Sequence, residues 1–313
     1  MTPKDPRVTA LRRFALSITV FTILGHTVLG FEQSWLTPLV GVATAWALDL
    51  TFETVESRLH GRAPRYQGSL ANLVNFLLPA HIGGLACAML LYGNERLWPT
   101  VFAVTVAMTS KYVFRVRFTA GGAPRHVLNP SNFGIAVTLL CFGWVGIAPP
   151  YQFTENIQGV WDWVVPGAIL VAGTMLNAKL TRRGPLIVGW VGGFVAQALI
   201  RALVLDHSFV AALLPMTGVA FILFTNYMIT DPGTTPHAPR RQLAFGLSTA
   251  AVYGLLVSMH ITFGLFFALS LVCAARLLVI VTARRLRERS ASPSARPSAP
   301  TPDPAAVPAG VHA

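Results

Sequence analysis

The stretch LLPMTGVAFILFTNYMITDPGTTP, residues 213–236, is an apolar run that gives way to a polar knot closed by proline. A second knot, LNPSNFGIAV, stands at 128–137. In both, a short polar residue precedes a proline and an apolar run follows, Asn129-Pro130 before Ile135 and Thr235-Pro236 before Leu243. This pattern predicts a helix start, because Asn or Thr caps free backbone N–H groups and proline at the first helical position has none to lose. Two helix N-termini on one side of a membrane bring their partial positive charges together. The knots are therefore the candidate ligand site, provided that they meet.

Composition sets the surroundings. Of 313 residues, 53% are hydrophobic and 12% charged, about half the charge of a soluble domain, and the mean hydropathy is +0.57. The chain reads as an all-α polytopic membrane protein with the lipid bilayer as its first partner. A net charge of +12 suits nucleic acid in a soluble protein, but here apolar runs and 22 prolines separate the basic residues and no basic stripe forms. Nucleic acid is thus excluded as a partner. Cys87, Cys141 and Cys273 all lie in apolar runs, with no disulfide framework and no CxxC metal site.

Runs long enough for a bilayer, about 17–25 residues, fall near 14–31, 35–55, 71–92, 97–114, 131–148, 161–178, 185–204, 208–230, 242–259 and 260–281. About ten transmembrane helices are expected. Lys4, Arg7, Arg12 and Arg13 precede the first, which lacks a small-residue cleavage pattern and reads as a retained helix. Of the 24 Lys and Arg residues, only Arg96 and Arg201 fall in one set of alternate loops and Arg276 lies in the last span. Lys and Arg concentrate on the cytoplasmic side. Both termini and both knots are accordingly expected to face the cytoplasm, in the cell's inner (plasma) membrane.

The expected organisation is a cytoplasmic arm at 1–13, a membrane domain at 14–285 and a Pro/Ala/Ser-rich disordered tail at 286–313. Ten spans divide into halves of about 14–148 and 161–281. Odd-numbered halves must be inverted relative to one another. Leu77-Leu78-Pro79-Ala80 in the third span and Leu213-Leu214-Pro215-Met216 in the eighth support this 5+5 inverted repeat, each predicting a mid-membrane interruption in the third span of its half.

Polar residues inside the spans are the candidate binding groups. These are Asn72 and Asn75 in the third span, Asn129 and Asn132 opening the fifth, Thr225, Asn226, Thr230 and Asp231 closing the eighth, and Thr234 and Thr235 beyond it. Amides and hydroxyls of this kind hydrogen-bond a flat heteroaromatic ligand. They also serve as glue between helices. Asp49 shares a helix face with Glu53 and Glu56, and Lys111 with Arg115 in the fourth span offers opposite charge at the same depth. Such a pair is either functional or a tie between spans two and four. His26 and His81 lack the neighbours of a metal site, and no nucleophile elbow, P-loop or GxGxxG is present.

NPSNFG before an apolar helix, and ILFTNYMITDPGTTP before RRQLAFG, resemble the RnfD and NqrB membrane subunits of the Rnf and sodium-pumping NADH:quinone oxidoreductase complexes. GIAPPYQFTEN at 146–156, LNAKLTRR at 176–183 and HITFGLFFALSLVCA at 260–274 extend the likeness to the RnfD-like proteins, often labelled UnbU, of bacterial enediyne biosynthetic clusters. The resemblance covers nearly all of residues 10–285. It implies a ten-span, flavin-associated electron carrier working with other membrane or redox proteins of such a pathway. It also matches Asn129 and Asn132 to the NPxN asparagines that face a flavin, and Asp231, Thr234 and Thr235 to the TDP segment. In RnfD and NqrB a threonine of an SGAT-like motif, in a long insertion after the fifth span, binds FMN covalently. Here PPYQFTENIQG at 149–159 has Thr154 as its sole threonine and no Gly-Ala-Thr. The flavin implied is FMN or riboflavin held noncovalently. The other reading of the same architecture is a transporter or binding protein for a small hydrophobic aromatic product.

Overall fold

The structure, a computed structural model, describes residues 6–117, 122, 124–149, 156 and 158–291. Thr154 and the tail from residue 292 lie outside these, so the expectations for them do too. The described residues are mostly helical. In order come α1 (Pro6–Leu24), α2 (Leu36–Leu59), α3 (Leu70–Leu90), α4 (Trp98–Val113), α5 (Pro130–Cys141), α6 (Trp161–Leu176), α7 (Gly184–Leu205), α8 (Phe209–Leu213), α9 (Val219–Leu223), α10 (Pro239–Ser258) and α11 (Gly264–Ala291). Two short antiparallel pairs join loops: β1 (Leu91–Tyr92) with β4 (Gly146–Ile147), and β2 (Arg115–Val116) with β3 (Arg125–His126).

Among the described residues, four helices are long and apolar enough to cross a membrane, within Val8–Leu29, Leu70–Leu90, Gly184–Leu205 and Gly264–Leu286. A pair bent by 65°, Phe209–Thr217 and Val219–Met228, makes five if counted as one span. Large apolar side chains such as Leu16, Val188, Leu203 and Val204 face outward, as a lipid environment requires. This is a membrane protein. By helix length and composition, four or five of the ten expected spans qualify. The 12 residues of α5 rise only about 18 Å against a hydrocarbon core of about 30 Å. α2 is long enough but carries Asp49, Glu53, Glu56 and Arg58.

Close backbone approach at glycine sets the helix crossings. A Cβ on Gly84 of α3 would lie 2.7 Å from the Gly41 carbonyl oxygen of α2. Gly189 of α7 stands against the Leu243 carbonyl of α10, and Gly246 of α10 against the Leu186 carbonyl, each at 2.5 Å from such a Cβ. Gly134 does the same for α5 against Ala103 of α4. Small residues let helices meet at van der Waals distance where lipid supplies no hydrophobic drive. Beside the α7–α10 crossing, Trp190, Phe194, Phe221, Phe224 and Tyr253 form an aromatic core, and Trp190 Nε1 donates to Thr225 Oγ1 at 2.9 Å.

The two prolines expected to break corresponding spans behave differently. α3 runs unbroken through Pro79, with Ala80 to Leu90 buried or half-buried behind it. The break at Pro215 is real: α8 passes into a tight turn at Leu214–Thr217, Gly218 is extended, and α9 restarts at Val219. One missing N–H is tolerated inside a packed helix, whereas the Pro215 break adds the extended Gly218. The helix boundaries also shift at the second knot. α10 starts at Pro239 behind Ala238, which offers no side-chain cap, rather than at Thr235-Pro236. At the other end α11 continues to Ala291, past the expected tail boundary at 286. The described residues from Leu277 to Ala291 belong to a second unit.

α1 and α6 both end in a five-residue π turn, Gly25–Leu29 and Asn177–Thr181, and α9 runs into a third at Phe224–Met228. Such turns widen a helix by one residue and recur at functional sites.

Candidate functional site

The first knot folds as its residues dictate. Asn129 Oδ1 accepts from the Asn132 backbone N–H at 2.9 Å and from Ser131 Oγ at 3.0 Å, with Pro130 in the first turn of α5. Asn129 Nδ2 then reaches across the fold to the Met228 carbonyl at 3.2 Å, in the π turn after α9. The two knots meet.

The second knot turns on Asp231. Its Oδ1 accepts from the Gly233 N–H at 2.9 Å, and its Oδ2 from Thr234 Oγ1 at 3.3 Å. Thr235 Oγ1 donates to the Asp231 carbonyl at 2.6 Å. Thr235 is thus held in the turn of the knot, and α10 starts later, at Pro239, with no side-chain cap. From outside, Arg183 donates to the Pro236 carbonyl and Arg276 to the Thr234 carbonyl. Burial pushes the Asp231 carboxyl up, but the charge and bond of His126, with the Gly233 and Thr234 donors, outweigh it and leave it below the usual aspartate value.

His126 is the group that sequence reading missed. β2 and β3 pair Arg115 with His126, bringing the ring beneath the second knot. His126 Nε2 and Asp231 Oδ2 are 3.0 Å apart, and a side chain on Gly233 would run into the imidazole. Nothing in the sequence around His126 marks it, since the pairing joins residues 105 apart.

A cavity of about 150 Å³ lies between the knots, lined by residues of α1, α3, α4 and α5 and of the segments after α6 and α9. Phe14, Ile82, Met108 and Tyr227 are among its apolar walls, with the Phe14 and Tyr227 rings edge to face at 5.3 Å. Asn129, Ser131, Asn226, Thr230, Asp231, Asn177 and His126 supply polar groups, and Lys111 a cationic one. Of the candidate binding residues, the cavity thus brings together Asn129, Asn226, Thr230 and Asp231. Thr234 and Thr235 brace the knot behind Asp231. Asn132 turns away: its Nδ2 donates to the Phe266 carbonyl and Ser270 Oγ, at 2.9 and 3.0 Å, tying α5 to α11.

Asn72 and Asn75 do not belong to this site. Asn72 is exposed in the first turn of α3, its Nδ2 on the Gln67 carbonyl, and Asn75 Oδ1 accepts from Arg12 at 2.9 and 3.1 Å. They start one turn too early on α3; the cavity meets that helix at Pro79, Ile82, Gly83 and Ala86.

Asn226 is buried to 1% exposure, and neither amide atom has a hydrogen-bond partner. The amide presses on Gly173 of α6, where a Cβ would lie 2.5 Å from Asn226 Cγ. Its backbone carbonyl accepts from Asn177 Nδ2 at 2.9 Å and Thr230 Oγ1 at 2.7 Å. A buried amide left unpaired costs about 1–3 kcal/mol per group.

On the opposite wall the ion pair between spans two and four forms. Lys111 Nζ contacts both Asp49 oxygens at 2.7 and 2.9 Å, and Tyr112 Oη donates to Asp49 Oδ1 at 2.8 Å. One turn along α2, Glu53 is gripped by Arg62 and Arg65, and Glu56 by Arg115. No group of three or more His, Cys, Asp or Glu suited to a metal occurs among the described residues. Comparison with protein-family models and with curated proteins finds no match to this chain.

Proposed function

We propose that this chain is a ten-span, RnfD/NqrB-like protein of the bacterial plasma membrane that holds a flavin noncovalently in the cavity between its knots. Its role would be electron transfer in the biosynthesis of an enediyne natural product, with other membrane or redox proteins of the pathway as partners. The observation that carries the reading is the cavity itself: aromatic and apolar walls with a few convergent amide, hydroxyl and charged groups, the arrangement expected for a flat heteroaromatic ligand. Asn129, Asn226, Thr230 and Asp231 would hold the ring, and the orphaned Asn226 amide has both its NH₂ donors and its carbonyl acceptor to offer an edge that carries both kinds of group. A flavin so bound would supply one- and two-electron chemistry. The inverted repeat draws support from the π turns that end α1 and α6, the first spans of the two halves.

The absorption spectrum of the detergent-purified chain tests this. Flavin bands that co-purify, or that appear on adding riboflavin and survive gel filtration, are expected. A colourless protein that does not retain riboflavin removes the redox reading.

One observation favours a second reading, a transporter or binding protein for a hydrophobic aromatic product. The helices of span eight are broken by 65° at Gly218, eight residues before Asn226, and the second of them leads into the cavity wall at Asn226 and Tyr227; discontinuous helices at a repeat interface are the construction transporters use. Uptake of an aromatic probe into vesicles by a flavin-free protein would select it.

A further inference from the structure

A ring that takes up electrons between apolar walls gains negative charge that its surroundings screen poorly. Among the described residues that line the cavity, Lys111, His126, Tyr227 and Asp231 are ionisable. Lys111 is already tied to Asp49, and a phenol ionises only near pH 10. His126 is the one whose ordinary range lies close to neutrality, where a change nearby changes its charge.

The two nitrogens of that imidazole have different surroundings. Nε2 meets Asp231 Oδ2 at 3.0 Å. Asp231 is held below the usual aspartate value, so near neutrality it is ionised and accepts only, and the proton of that bond sits on Nε2 whether or not the ring is charged. Nδ1 makes no hydrogen bond among the described residues and is not enclosed. The titrating proton therefore comes and goes at Nδ1, and with 26% of the side chain exposed it can exchange with water. Around the imidazole stand Arg125, its neighbour in β3, Arg115 opposite in β2, and Arg183 and Arg276 on the carbonyls of the knot. Arginine keeps its charge across the neutral range, so these groups do not titrate with it. His237, bonded to Arg125 at 2.9 Å, is exposed and does not line the cavity.

We infer that His126 is the proton-exchanging residue of the cavity: its Nδ1 binds a proton from water when the bound ring takes up two electrons and releases it when they leave. Asp231 is the positioning residue that holds the proton of the other nitrogen. Two electrons from a redox partner protein and two protons from water enter together. One proton forms an N–H bond on the ring, the other an N–H bond at Nδ1, and the imidazolium so made faces the reduced ring as its counter-charge. The inference rests on the flavin reading and adds the residue that couples its electrons to protons.

Proton uptake by the full, detergent-purified chain loaded with riboflavin tests it. Reduced methyl viologen supplies electrons without protons, and a pH indicator in weakly buffered solution counts the protons taken up near pH 7.5. Free riboflavin takes up about one proton per two electrons there, the native chain is expected to take up about two, and His126→Gln, whose amide still reaches Asp231, about one. His237→Gln should match the native chain. In Asp231→Asn the imidazolium loses its counter-charge, so the pH at which the second proton is lost should fall by about one unit or more. Uptake of one proton by the native chain, or of two by His126→Gln, overturns the inference and leaves the flavin reading standing. A chain that retains no riboflavin removes both. Should His126→Gln shed riboflavin, His126→Asn replaces it. If that variant sheds it too, ¹⁵N-histidine spectra of the native chain decide: a histidine that gains an Nδ1 proton on reduction supports the inference, and none gaining one overturns it.

Discussion

Asn129 closes the first turn of α5 with its oxygen and ties that helix start to the turn after α9 with its nitrogen. Asn129→Ala should lose about 1 kcal/mol from the cap and a further ~1 kcal/mol from the Met228 bond. Asn129→Asp keeps the cap, loses the donor and should fall between, as read from thermal unfolding in detergent. Asp231 predicts a pH effect. Its folded value lies below its unfolded one of about 3.9, so its contribution is complete above that pH and is lost as pH falls through the folded value. Hydrogen exchange across 231–238 should therefore accelerate only below about pH 4, and Asp231→Asn should show the fast exchange already at neutral pH. For the bound flavin, denaturing electrophoresis under ultraviolet light should show no fluorescent band with the protein. A band that vanishes in Thr154→Ala would establish covalent attachment. The Asn129 cap was legible because it joins residues three apart. Thr235-Pro236 looked equivalent, but the Asp231 turn holds Thr235 within the knot and α10 starts only at Pro239, because a local pattern does not show which turn the neighbouring residues will form.

At the scale of elements, the glycine crossings are the most exposed to change. Gly189 and Gly192 lie on the same helix, yet a Cβ meets the Leu243 carbonyl at the first and open space at the second. Gly189→Val should destabilise by roughly 1–3 kcal/mol through forced separation of α7 and α10. Gly192→Val should stay within about 0.5 kcal/mol, and thermal midpoints of the two variants check the contrast. Hydropathy could locate these helices but not the glycines that face a neighbour, because facing is a property of two helices at once. The same reason underlies the unequal prolines. Pro79 and Pro215 have similar sequence surroundings, but buried packing carries α3 through its proline, whereas Gly218 lets the chain extend after the other.

For the molecule as a whole, the prediction concerns sidedness. In a background with Cys87, Cys141 and Cys273 replaced by serine, cysteines introduced at Pro239 and Gln158 should label with an impermeant thiol reagent from opposite faces of the membrane. Labelling of both from one face would overturn the cytoplasmic placement of the knots. The sequence by itself determined the membrane class, the positions of the apolar runs, the asymmetric distribution of Lys and Arg, and the capped start of α5. Each depends on composition or on residues within a turn or two of one another, so the physics is local. Only the tertiary structure decided which polar groups share a cavity. It brought Phe14, Lys111, His126, Asn177 and Asn226 to the same space and sent Asn72, Asn75 and Asn132 elsewhere. Helix rotation, crossing distance and the pairing of β2 with β3 make that choice, and each is set by side chains far apart in the chain that pack against one another.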